Sequence, residues 1–367
     1  MRIKFSTMKS YLRNPYIRSG PLPVDIVFHP SWWYKHARIS FDEDFYYHPL
    51  RRVEAEAQME HELYERFGQY GLGNDRSKDL PVIGAVHNAA GYLLSEMLGC
   101  QVIYKEDAAP QVIPAGQGSL SVDPDQALKS IAFKRFLSLQ EKLKARYGYL
   151  TGDVNWGGIL NIALDLAGEN VFTDFFTEPE KIKAQFTAIG RLIETFVSGI
   201  SKETGTSSIS VNRNVRHIER PVFLHSECSH TMISTEQYEE FLFPVDLEWS
   251  RKYRPFGIHY CGSDPHRYAE VFAGIENLDF LDVGWGGDVQ TLRKHLPHTF
   301  LNLRLDPVTI GDYSDEELEA TVTRLVKDSG NPYLTGVCCI NMDDKVGDSK
   351  IHTIFRTVER LRSEMIS

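Results

Sequence analysis

Short apolar runs recur along this chain, separated by longer stretches in which apolar and charged positions alternate with helical spacing. Eight of these runs read as strands: Val24–His29, Pro81–Val86, Gly148–Asp153, Val222–Glu227, Phe256–Cys261, Leu278–Gly284, Phe300–Leu305 and Tyr333–Cys339. Strands alternating with amphipathic helical stretches are the pattern of an α/β fold with a parallel sheet. Eight strand–helix units predict a closed (βα)8 TIM barrel.

Helix boundaries support this division. Asp264-Pro265 places an N-cap and a first-turn proline directly after the fifth strand. Ser234 with Gln237, and Ser314 with Glu317, have capping-box spacing, and Pro244 interrupts the helix that Ser234 opens. The first 80 residues or so hold one strand and a charged helix at 49–67, which predicts an N-terminal helical extension. Residues 99–133 read as an excursion over the barrel and 201–220 as a long connection. No internal repeat and no domain boundary interrupts residues 1–367, so a single domain is expected.

Composition narrows the function. The net charge of −10, with no basic block beyond the mildly basic first twenty residues, argues against nucleic acid as the main partner. No apolar stretch approaches the length of a membrane span, and residues 1–9 lack the core of a signal peptide. A cytoplasmic protein is expected. Five cysteines, an odd number, disfavour a disulfide framework. Cys100 reads as a small buried hydrophobe, but Cys228, Cys261, Cys338 and Cys339 fall at strand ends, where a barrel builds its site.

His259 and Cys261 are two residues apart on an extended strand and so point to the same side. One of the adjacent Cys338 and Cys339 can face that side with them. Two sulfurs and one nitrogen favour zinc and leave a coordination position open. Glu227, ending the fourth strand, is either a further ligand or a cap on its following loop. Asp282, on the sixth strand, either orients His259 or makes a rim contact. Cys228, His225 and His230 read as packing or loop residues. Asp153, Asn155 and Trp156 end the third strand at the same rim and are candidate substrate-binding residues. Trp32 and Trp33 follow the first; with Trp156 and Tyr260 they either wall a pocket for a flat substrate or cap the core. Gly284-Trp285-Gly286-Gly287-Asp288 reads as a strand–helix turn that could expose amides to an anion. No Gly-x-Ser-x-Gly elbow is present.

Several segments resemble the uroporphyrinogen decarboxylase superfamily. They are residues 152–168 with 172–179, the helix Met232–Pro244, and His259-Tyr260-Cys261-Gly262. Within it the chain is most similar to the zinc-dependent methyltransferases that work with corrinoid proteins. Aligned without gaps, the last strand puts that family's second zinc cysteine at Cys339, with Cys338 where a glycine is usual. The resemblance implies zinc held by His259, Cys261 and Cys339, with Glu227 as a possible fourth ligand, and catalytic roles for Glu227 and Asp282. It implies methyl transfer between a small methylated substrate, a methyl ether in the favoured version, and cobalamin presented by a partner corrinoid protein. Transfer from a methylated corrinoid to a thiol, porphyrinogen-type decarboxylation and a non-catalytic zinc scaffold are the alternatives. The decarboxylases' N-terminal arginine segment has no counterpart here. Nor does the chain contain the corrinoid carriers' Asp-x-His-x-x-Gly signature, so the corrinoid is expected on another chain.

Overall fold

The structure, a computed structural model, describes residues 11–16, 20–75, 79–83, 91–152, 156–205, 220 and 222–366. Strands β1 (Val24–Phe28), β4 (Phe223–Ser226), β5 (Phe256–His259), β6 (Leu278–Val283), β7 (Phe300–Leu305) and β8 (Thr335–Met342) form one curled sheet in the order β1-β8-β7-β6-β5-β4. Every pairing in it is parallel. Val82 and Thr151 form a parallel bridge where the expected second and third strands run. The rest of those two strands lies partly outside the described residues, as do Asp153 and Asn155 and most of the 201–220 connection. The fold is the α/β TIM barrel that the strand pattern predicts.

Side-chain alternation divides each strand between two environments. Ile258, Leu281, Leu301, Leu303 and Val337 belong to the large cluster under the helices, whereas Leu224, Phe280 and Phe300 form a smaller one inside the barrel. Above that inner apolar layer the same alternation places polar groups. His259 is in register with Asp282, which is in register with Asn302. All three are fully buried.

Helices Pro30–Ala37, Glu43–Tyr47 and Pro49–Phe67 make the N-terminal extension. The excursion at 99–133 contains an antiparallel hairpin, β2 (Gln101–Lys105) with β3 (Ala108–Ile113), that the sequence pattern did not single out. Both capping boxes form, Ser234 opening Thr235–Phe241 and Ser314 opening Asp315–Ser329. Asp264 does not cap with its side chain; it accepts a hydrogen bond from the Tyr260 hydroxyl at 2.6 Å. No described helix is long and apolar enough to cross a membrane.

Candidate metal centre

β5 ends at His259, and the chain continues through Tyr260 and Cys261 to Gly262 at the mouth of the barrel. The neighbouring strand end comes close enough that Gly284 must be glycine, since a Cβ there would collide with the Gly262 carbonyl. His259 and Cys261 face inward, with Nε2 of His259 3.3 Å from the Cys261 sulfur. Tyr260, between them, is fully buried on the other side, against His230 and Tyr268.

The third member of this group is Cys228. Among the described residues, one ligand atom each from Cys228, His259 and Cys261 lie within 4.8 Å of one another. β4 stops at Ser226, and a short 3-10 turn over Cys228–Met232 follows. Cys228 has the parity of Leu224, which faces the inside of the barrel, whereas His225 and Glu227 turn to the helices; the reading of Cys228 as a packing or loop residue is thereby corrected.

Glu227 is placed differently from the expected ligand set. Its carboxylate accepts from the amides of Leu160 at 2.7 Å, Asn161 at 3.2 Å and Ser229 at 3.1 Å. Helix Ile159–Ala167 has Gly158 as its N-cap and no capping side chain of its own. β4 supplies the missing acceptors: the Ser226 carbonyl takes the Gly158 amide at 2.8 Å, and His225 Nε2 takes the Ile159 amide at 3.3 Å. A Cβ on Gly158 would collide with the Glu227 carboxylate. Burial raises the Glu227 pKa to about 7 against these amides and the nearby His225. The structure therefore gives Glu227 the capping role, one of its two expected readings. His225 Nδ1 pairs with Asp246 at 2.7 Å, and Asp246 in turn accepts from Tyr238 at 2.6 Å.

The two cysteines of β8 separate by parity. Cys338 is in register with Arg304 and Asp25. It faces inward, its sulfur 3.7 Å from Asp282 Oδ1. Cys339, the residue that gapless alignment selects as a zinc ligand, lies in the large cluster beneath the helices. Burial pushes its thiol up to about 12.

Asp282 takes the orienting role. Its Oδ2 lies 2.6 Å from His259 Nδ1, and its Oδ1 accepts from Asn302 Nδ2 at 3.2 Å. The imidazole is thereby fixed with Nε2 towards the sulfurs. Burial alone would lower the His259 pKa, but Cys261 and Asp282 outweigh it and raise it to about 9. The Cys261 thiol is held far below its ordinary range, first by a hydrogen bond from Cys228 and then by the His259 and Arg304 charges. Arg304, also at a strand end, approaches Cys261 Sγ to 3.6 Å and His259 Nε2 to 3.4 Å through Nη1.

The donor set fits a zinc ion. Tetrahedral coordination puts a nitrogen and a sulfur donor about 3.6 Å apart and two sulfurs about 3.8 Å apart. The trio's ligand atoms lie within 4.8 Å of one another, with His259 Nε2 and Cys261 Sγ 3.3 Å apart, and it offers a histidine with its second nitrogen engaged by a carboxylate and a thiol already disposed to ionise. Three protein donors leave the fourth position free.

The tryptophans expected to wall a pocket are core residues instead. Trp32 and Trp33 lie on helix Pro30–Ala37, packed on Phe28, and Trp156 stacks with His225 beside Trp249. All three are fully buried or nearly so. The aromatic ring at the mouth is Trp285, whose face lies 5.3 Å from the Arg304 guanidinium carbon. The glycine-flanked turn that carries it was its sequence signal.

No protein-family model matches this chain, and no curated protein sequence matches it. Solved structures do. A methyltransferase from Methanosarcina mazei superposes with a TM-score of 0.63 at 11% identity, over 94% of this chain and 95% of that one. A B12-independent methionine synthase from Shewanella sp. W3-18-1, solved with selenomethionine, gives 0.54 at 10% identity, over 94% and 99%. At such identities the likeness is one of architecture: the protein shares its (βα)8 barrel, along nearly its whole length, with a methyltransferase and a methionine synthase.

Proposed function

We propose that this protein is a zinc-dependent methyltransferase that moves a methyl group between a small methylated substrate, favoured as a methyl ether, and the corrinoid of a partner protein. The observation that carries the proposal is the open Cys228–His259–Cys261 donor set at the C-terminal mouth of a barrel shared with methyltransferases. This reading replaces Cys339 and Glu227 by Cys228 in the ligand set, on the geometry above.

A zinc ion there would supply a Lewis acid for the heteroatom that gives up or accepts the methyl group. The chain's own groups prepare that position. Asp282 holds the His259 ring in one tautomer, its Nε2 lone pair turned to the site. Arg304 keeps positive charge beside Cys261 and so favours the thiolate needed as a ligand. The near-complete burial of His259, Asp282 and Asn302 holds bulk water away from this wall of the site.

Two measurements test the proposal. Protein purified without chelators should carry about one zinc per chain by elemental analysis. Mixed with methoxyarenes and a reduced corrinoid protein, it should give the methyl-cobalt spectrum. Zinc well below half an equivalent would count against the donor set. Methylcobalamin demethylated by a thiol, with no reaction from any ether, would reverse the direction. A tetrapyrrole carboxylate losing carbon dioxide without metal would replace the proposal by decarboxylation.

A further inference from the structure

Strands β4 and β5 run parallel, with Ser226 opposite His259. Two residues further along each segment come Cys228 and Cys261, which keep the same inward parity and so meet at the mouth of the barrel. Neighbouring strands lie about 4.8 Å apart, inside the range of roughly 4.4–6.8 Å over which a disulfide joins two Cα atoms. The two sulfurs share a hydrogen bond, the Cys228 thiol donating to Cys261.

The other three cysteines are placed differently. Cys100, Cys338 and Cys339 are buried. Cys338 and Cys339, adjacent on β8, point to opposite faces of the sheet, and the Cys100 thiol donates to the Asp165 carbonyl at 3.4 Å. Cys228 and Cys261 are half-buried at the mouth, within reach of a small solute. Thiolates, not thiols, are the nucleophiles in such oxidations, and the Arg304 guanidinium, 3.6 Å from Cys261 Sγ, favours that form. A reactive thiolate with a second thiol beside it is oxidised to a disulfide rather than onward to a sulfinic acid.

We propose that Cys228 and Cys261 are a modification site, a thiol pair that a peroxide converts reversibly into a disulfide, closing the metal centre. The Cys261 thiolate attacks one peroxide oxygen; the O–O bond breaks, and the departing hydroxide takes up a proton and leaves as water. The Cys228 sulfur gives up its proton and attacks the sulfur of the resulting sulfenic acid; the S–S bond forms, the S–O bond breaks, and a second water leaves. The two sulfurs together lose two electrons and the peroxide gains them. A disulfide no longer offers thiolate ligands, so His259 alone of the three donors remains and zinc is released. That consequence rests on the zinc-site reading above; the disulfide rests on the register and the sulfur contact. A thiol reductant reopens the pair by exchange.

The test is mass spectrometry of full-length, zinc-loaded protein exposed to hydrogen peroxide. Unreacted thiols are blocked with iodoacetamide and the peptides mapped without reduction, while a chromophoric chelator records zinc. A linked pair of peptides carrying Cys228 and Cys261 should appear at least about tenfold faster than any oxidation of Cys100, Cys338 or Cys339. About one zinc per chain should be released with it, and dithiothreitol with added zinc should reverse both changes. Cys228→Ser should leave Cys261 as a sulfenic acid that dimedone traps. No Cys228–Cys261 link in the wild type at millimolar peroxide, Cys261 carried directly to sulfinic acid, or a link between other cysteines overturns the proposal whether or not the variant folds. Zinc retained in peroxide with both thiols intact defeats this proposal alone. A link formed in protein that binds no zinc, or formed with zinc retained, defeats the zinc site and leaves the disulfide standing.

Discussion

Asp282 and His259 stand directly opposite each other on adjacent parallel strands, joined by a 2.6 Å contact between Oδ2 and Nδ1. Register, rather than a loop, sets this pair, so its geometry is as rigid as the sheet. A ligand histidine held this way loses affinity for its metal when the carboxylate is removed. Asp282→Asn should therefore weaken zinc binding about 10- to 100-fold in competition with a chromophoric chelator. Unchanged affinity would mean that the carboxylate serves the sheet alone.

The cysteines make separate predictions. Cys228→Ser and Cys261→Ser should each purify with less than about half the wild-type zinc, because each removes one of three donors. Cys339→Ser should keep its zinc and lose some stability, since it inserts a hydroxyl into the large core cluster. The opposite outcome, with zinc lost in Cys339→Ser and kept in Cys228→Ser, would restore the ligand set inferred by resemblance.

Glu227 should behave as a structural residue. Glu227→Ala leaves the Leu160 and Asn161 amides without their acceptor and should lower the unfolding free energy by about 2–4 kcal/mol, measured with urea. Glu227→Gln keeps one acceptor oxygen and should lose less. Full stability with lost zinc in Glu227→Gln would instead mark Glu227 as a ligand.

Asp165 gives a test in pH. It lies on helix Ile159–Ala167, where burial raises its pKa although the Ser95 hydroxyl donates to it at 2.6 Å. A raised folded-state value means that the favourable contribution is complete below the unfolded carboxylate pKa, near 4, and is lost as pH rises through the folded value. Asp165→Asn, which cannot ionise, should thus gain stability relative to wild type between about pH 4 and neutrality. Urea midpoints that keep a constant offset across that range would rule this out.

The barrel was legible because its evidence is redundant. Eight apolar runs, the capping boxes at Ser234 and Ser314, and the charged helix at 49–67 all point to one architecture, and each capping box forms as expected. His259 and Cys261 were legible for the same reason: alternation holds along a strand. Cys228 was not, because Glu227 was taken as the inward residue ending β4, whereas the inward parity there is that of Leu224 and passes to Cys228, leaving His225 and Glu227 against the helices. Cys339 failed for a related reason. Resemblance aligns residues along the chain, but Cys338, not Cys339, has the inward parity on β8. Trp32 and Trp33 left a pocket wall and a core cap equally open from sequence, and they form part of a helix whose apolar face turns to the core.

The cap on helix Ile159–Ala167 has a consequence for the order of folding. Its acceptor at Leu160 comes from a residue 67 positions later in the chain, so the helix cannot complete its first turn until β4 has docked. Local signals at Gly158 give it no independent start. During refolding, the Leu160 and Asn161 amides should gain protection from hydrogen exchange together with the β4–β5 ladder, later than the self-capped helix that begins at Ser314. The turn that carries Cys228 would become ordered in the same event, so the donor set and the helix behind it form as one cooperative unit.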